Sequence, residues 1–223
     1  MKEIKINEKT FSIPENWNEM TLRQYTSLAG LIISPIDAVG VVLQMSQEEV
    51  SNLQPQIVED RILPHLDFIF TDEHSFDIKK VPNKIKVKDK TITVPRQLEF
   101  KTYGQKIHLT NAILDTFKGQ TDPVLASQDS NFFKKFLELI PEALATYLYP
   151  EYHEEPFNVD KLEPFKELLL DYSLAKDAYP IAYFFLMRSI DSMKYRANTL
   201  MENTRKKKSK RGSKNSKFSG IFG

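Results

Sequence analysis

The chain has 223 residues, with 31 Lys and Arg against 30 Asp and Glu, 27% charged and 41% hydrophobic, which is the composition of one or two globular domains and not of a disordered protein. The absence of Cys excludes disulfides, thiolate metal sites, iron–sulfur ligation and thiol catalysis, and a chain of this length buries a core without such staples. The longest apolar run, 181–187, lies between Pro180 and Arg188, far short of the roughly 20 residues of a membrane span. The alternating opening Met1-Lys2-Glu3-Ile4-Lys5-Ile6 does not read as a signal peptide, so an intracellular protein is expected.

The first predicted element is a β-hairpin over 4–13, with apolar and polar residues alternating on either side of the polar turn Asn7-Glu8-Lys9 and Pro14 ending the second strand. Thr21 is placed to cap a helix over 21–31, Pro35 suits the first turn of another over 35–45, and Ser46 with Glu49 forms a capping box for a third. An apolar stripe of Ile57, Ile62, Leu66 and Ile69 predicts a helix over 56–70 that Pro64 kinks. A second hairpin follows. Ile85-Lys86-Val87-Lys88-Asp89-Lys90-Thr91-Ile92-Thr93-Val94-Pro95 lies 81 residues after the first, and Thr102 and Gln105 match Thr21 and Gln24 in the same register. Seven pairs between Ile4 and Gln24 are identical, which reads as a pseudo-repeat of hairpin then short helices. Helices are then expected over 106–117, over 131–149 with an interruption near Pro141, over 159–175 and over 179–201, with loops at 119–123 and 151–156. The fold class is mainly α with two small β-hairpins (α+β), organised as a hairpin-helix unit over 1–80 and a second, packed with it, over 81–204.

Residues 205–217 carry eight cations and no acid: Arg205, Lys206, Lys207, Lys208, Lys210, Arg211, Lys214 and Lys217. The arm is therefore +8 and the rest of the chain about −7. Self-repulsion and the lack of any apolar residue predict a flexible arm over 205–223. It ends in Phe218, Ile221 and Phe222, read as a short docking segment that the tether holds at high local concentration. Clustered cations also suit phosphate, but the acidic body opposes nucleic acid everywhere else, so such contact is expected to be weak and salt-dependent.

No phosphate-loop, dinucleotide, Ser-nucleophile or zinc-protease motif is present, and His65, His74, His108 and His153 are scattered. Asp72-Glu73-His74 and His153-Glu154-Glu155 read as solvated loop charge. No catalytic residue, metal site or cofactor is expected, and the chain is not read as an enzyme. The aromatics lack interleaved cations and read as core. Trp17 is read as the anchor of the first hairpin, with an exposed partner contact as the alternative.

The stretch Ile13-Pro14-Glu15-Asn16-Trp17-Asn18-Glu19-Met20-Thr21-Leu22-Arg23-Gln24-Tyr25 resembles the start of proteins from the structural gene modules of tailed bacteriophages. Val41-Val42-Leu43-Gln44-Met45-Ser46-Gln47-Glu48-Glu49-Val50-Ser51-Asn52-Leu53 resembles the apolar helix, Ser-x-Glu-Glu and short helix of phage tail assembly chaperones; where these have Leu-Thr-Gly before the Ser, this chain has Leu43-Gln44-Met45. The resemblance covers roughly the first 70 residues. It implies a protein of the host cytoplasm that holds the aggregation-prone tape-measure protein while tail-tube subunits assemble, and then departs. A permanent virion component of the neck, tail or baseplate is the first alternative, and a nucleic-acid-binding protein acting through the basic arm the second.

Overall fold

The computed structural model describes residues 1–6, 8–29, 33–71, 76–95, 100–117 and 132–215, with 196–198 and 200–215 described by their backbone alone. Strands β1 (Lys2–Ile6) and β2 (Lys9–Ile13) pair antiparallel with Ile4 opposite Phe11, and β3 (Lys84–Val87) and β4 (Lys90–Thr93) repeat this with Ile85 opposite Ile92. Period-2 alternation puts Ile4, Ile6 and Ile13 of the first hairpin, and Ile85, Val87 and Ile92 of the second, on the buried faces. Both connections are two-residue loops, one residue shorter than the sequence suggested, since Lys9 and Lys90 already belong to strands. Such short loops demand positive φ, which Glu8 (32°) and Lys88 (54°) adopt without the help of glycine.

After β2 a single three-ten turn, Trp17–Glu19, leads to the helices α1 (Leu22–Leu28), α2 (Pro35–Leu43) and α3 (Gln47–Ser51). Their predicted caps are present: Thr21 and Ser46 each close a reciprocal box, with Gln24 and Glu49 respectively, and Ser34 accepts from the Asp37 backbone ahead of Pro35. The expected helix over 56–70 is instead a wide π turn, Ile57–Ile62, followed by α4 (Leu63–Leu66) and α5 (Phe68–Thr71). Pro64 supplies the reason. Its ring would collide with the Asp60 carbonyl in a regular helix, and the π turn, in which the Leu63 N–H reaches back to Val58, widens the backbone just before it.

Four longer helices follow among the described residues. They are α6 (Tyr103–Thr116), α7 (Phe132–His153), α8 (Leu162–Tyr172, preceded by a three-ten turn Val159–Lys161) and α9 (Ala175–Asn215). Helix α7 is not interrupted at Pro141 and takes up half of the loop expected at 151–156, and α9 likewise accommodates Pro180. Contacts with α6, α8 and α9 along α7 offset the hydrogen bonds the prolines cannot make. The backbone of α9 also stays helical through residues 205–215, where an irregular arm was expected. Lys and Arg are good helix formers, no Pro follows Pro180, and cations near a helix C-terminus are favoured by its dipole.

One hydrophobic cluster runs through both halves, so the two hairpin-helix units share a core. Their junction is a backbone clamp: the Leu22 N–H donates to the Ser173 carbonyl (2.8 Å) and the Ala175 N–H to the Met20 carbonyl (2.9 Å). Beside it, Tyr25 of α1 meets Tyr179 of α9 edge-on at 5.2 Å.

The repeat extends from sequence to hydrogen bonds. Gln24 and Gln105 are both buried; each accepts the N–H of its capping Thr (3.0 and 3.1 Å), and each donates its amide to the carbonyl of a later helix. Gln24 reaches Val42 of α2 (3.2 Å) and Gln105 reaches Thr146 of α7 (2.8 Å). Leu28 and Leu109, the next identical pair in the register, are buried as well. Replacing Gln24 or Gln105 by Ala strands a buried carbonyl and a cap N–H. Each substitution is expected to cost about 2 kcal/mol, against about 1 kcal/mol for Ser46→Ala at an exposed cap, read as shifts in urea midpoint. Equal costs at all three sites would show that the glutamine amides do not tie the helices together.

Candidate interaction surfaces

Trp17 lies in the core. It is 8% exposed, with its ring edge-on to Tyr25 of α1 (5.9 Å) and Phe68 of α5 (5.4 Å), so it packs between these helices. The cations Arg205, Lys206, Lys207, Lys208, Lys210, Arg211 and Lys214 fall on the last turns of α9. Lys217, Phe218, Ile221 and Phe222 lie outside the described residues, as does His74.

The burial stripe of α9 is Ala175, Ala178, Tyr179, Ala182, Phe185, Leu186 and Ile190, the helical spacing of a core face. Among the described side chains of α9, Met193 is the last one packed against the core, and Tyr195 is 75% exposed. The helical backbone continues to Asn215, about 30 Å further at 1.5 Å per residue. The first part of α9 thus belongs to the core, and the same helix runs on through the segment that carries the cations.

Titratable groups on the body pair off across elements. Arg23 of α1 binds Asp171 and Glu167 of α8; His108 of α6 bonds Glu142 of α7, which also meets Lys166 (3.3 Å). His65 stands 3.4 Å from Glu15. The triplet His153-Glu154-Glu155 diverges: the His153 ring stacks on Tyr149 (4.4 Å), Glu155 accepts from Tyr149 and from Lys161 (3.0 Å), and Glu154 binds Lys90 (2.8 Å). Among the described residues no three His, Asp or Glu converge as metal ligands, and no helix is long and apolar enough to cross a membrane. These pairs act as struts between helices.

Among the described residues, three open clefts lie on the surface. One of about 410 Å³ lies between α1 and α7, lined by Arg23, Ser27, Lys134, Glu138 and Pro141 among others. A second, about 630 Å³, runs from His108 and Asn111 of α6 to Phe157 and Val159, with Ile107 and Val159 exposed on its rim. The third, about 580 Å³, is bounded by Ile6, Glu8, Lys9, Phe11, Met45 and Leu53. It is the most apolar in residue type, and sequence reasoning did not single it out, because its walls come from three separate segments.

Lys90 fixes the second hairpin to the end of α7. Its ammonium donates to the Tyr152 carbonyl (2.5 Å) and to Glu154, and sits 5.4 Å from the centre of the Tyr152 ring. This bond holds the Glu154 carboxyl below the usual carboxylate range. A depressed folded value means that the pair contributes above the ordinary glutamate pKa and is lost as pH falls through the folded one. Lys90→Met is expected to return the Glu154 titration, followed by carboxyl NMR, upward to the ordinary range while Glu155, held by Tyr149 and Lys161, keeps its depressed value. An unchanged Glu154 curve would remove Lys90 as the cause.

No protein-family model, no curated protein and no solved structure matches this chain.

Proposed function

We propose that the chain is a non-enzymatic assembly protein that works through protein–protein contacts, in the setting of a tailed-bacteriophage structural module, and that it acts as a tail assembly chaperone holding the tape-measure protein. The observation that carries the contact-based reading is the continuous helical backbone of α9 through 205–215, a stretch with seven cations and no acid. Like charges three and four residues apart on a helix repel one another, and an anionic partner surface removes that cost. The phage setting comes from the Ile13–Tyr25 and Val41–Leu53 motifs. In support of a role without bond chemistry, two polar groups of the clefts are spent on inter-helix pairs, Arg23 with Asp171 and His108 with Glu142.

Two other readings make different predictions. A virion component stays in the particle, and a nucleic-acid-binding protein depends on the arm at physiological salt. Quantitative mass spectrometry of purified particles and producing-cell lysates is expected to find the chain in lysates and not in particles; stoichiometric copies in particles would make it a structural component. Removing residues 205–223 is expected to weaken capture of the tape-measure protein at least several-fold while leaving the thermal transition of the body in place. If the truncation changes only DNA retention, the nucleic-acid reading takes over.

A further inference from the structure

The 81-residue register matches the two hairpins side chain for side chain: Ile6 with Val87, Glu8 with Asp89, Lys9 with Lys90, Phe11 with Ile92. Their surroundings differ at one place. Both are followed by a helix anchored through the buried glutamine, α2 at Val42 and α7 at Thr146. Beyond that anchor α7 runs for seven more residues, to His153, and packs on β4. Ile92 is buried there, and Lys90 holds the Tyr152 carbonyl and the Glu154 carboxylate. Beyond its own anchor α2 has one helical residue, Leu43, before Gln44 turns the chain away in the left-handed region (φ 54°). α2 still packs on β2, but the matching hairpin residues are covered less: Lys9 is exposed, Phe11 only half-buried, and both border the 580 Å³ cleft with Ile6, Glu8, Met45 and Leu53.

We propose that this cleft receives the carboxyl-terminal end of a helix from a partner protein, one with an aromatic or aliphatic side chain in its last turn and a carboxylate just beyond it. Lys9 then binds the terminal carbonyls and the carboxylate, as Lys90 does inside the chain. The chemistry is complementary in both parts. The C-terminal end of a helix carries partial negative charge and unpaired carbonyls that an ammonium satisfies, while Ile6, Phe11, Met45 and Leu53 offer an apolar seat in which the methionine adapts its shape. The acids around Lys9 do not distinguish it from Lys90. Glu8 is matched by Asp89, and Glu49 of α3, which also faces Lys9, is tied to the Ser46 backbone and hydroxyl. The inference goes beyond the assembly reading and does not rest on it, since it follows from the unequal cover of two matching hairpins.

The test uses the full chain with labelled methyl groups and, as probe, a helix-stabilised synthetic peptide with the sequence of residues 137–155 of this chain, which contains the Tyr152-His153-Glu154 end. Titration to about 1 mM is expected to move the methyl signals of Ile6, Met45 and Leu53. The affinity is expected to fall about tenfold for Lys9→Glu or Lys9→Ala, and about tenfold when Glu154 in the peptide is Gln, the range for loss of a charged hydrogen bond. Both Lys9 variants alter an exposed side chain, and an unchanged urea midpoint checks that each is folded. No movement of these methyls, movement that both Lys9 variants leave untouched, or movement confined to Ile85, Val87 and Ile92, which would mean that the peptide displaces α7, each overturns the proposal. No phage component enters the experiment, so its failure leaves the particle and truncation measurements free to decide the assembly reading.

Discussion

Two buried glutamine side chains set the geometry of this protein. Each spans a hairpin exit and a helix start through its capping box, and each then passes its amide to a second helix, so one side chain fixes the order of three elements. An amide buried in this way has to be fully bonded, because an unpaired polar group in the core costs more than an apolar replacement. The helices that pack over it are thus held at the carbonyls of Val42 and Thr146. The shared core, the edge-on aromatics around Trp17 and the ion-paired struts of Arg23 and Glu142 fill in around that frame.

Local signals were legible in the amino-acid sequence, and long-range compensation was not. Thr21 with Gln24, Ser46 with Glu49, and Thr102 with Gln105 announce helix starts because a cap is a matter of three neighbouring residues. The two hairpins show in the alternation of Ile4, Ile6 and Ile13 and of Ile85, Val87 and Ile92. Pro141 misleads, since the cost of a proline inside a helix is local while the packing of α7 that offsets it comes from elements distant in the chain. Pro64 breaks its helix through a π turn, a choice that no periodicity foretells. Trp17 is buried, in keeping with a lone large ring next to a turn having more to gain from burial than from exposure. The cleft beside Lys9 was hidden for a different reason: the repeat that reveals it is clear over 21 residues, and the difference that matters lies just beyond, where α2 and α7 have unlike lengths.

Charge is divided as sharply as structure. Several acids of the body are tied to neighbours in the fold, as with Glu142, Glu154, Glu155, Glu167 and Asp171. The cations of 205–214 come later in the chain than Met193, the last described side chain of α9 packed against the core. Salt is expected to weaken the more exposed pairs, such as Lys90 with Glu154, more than the half-buried Glu142 with Lys166.

The clamp between Met20, Leu22, Ser173 and Ala175 has a consequence in time. Its partners, like Arg23 and Asp171, lie about 150 residues apart in the chain. At the roughly 5–20 residues per second of synthesis, about ten to thirty seconds separate the emergence of α1 from that of the strand of backbone that completes it. During that interval Trp17 and Tyr25 have Phe68 and Phe76 to pack on, but not Tyr179. The molecule is built with high contact order at its centre, so its final closure is a late, non-local event of the kind that slows folding.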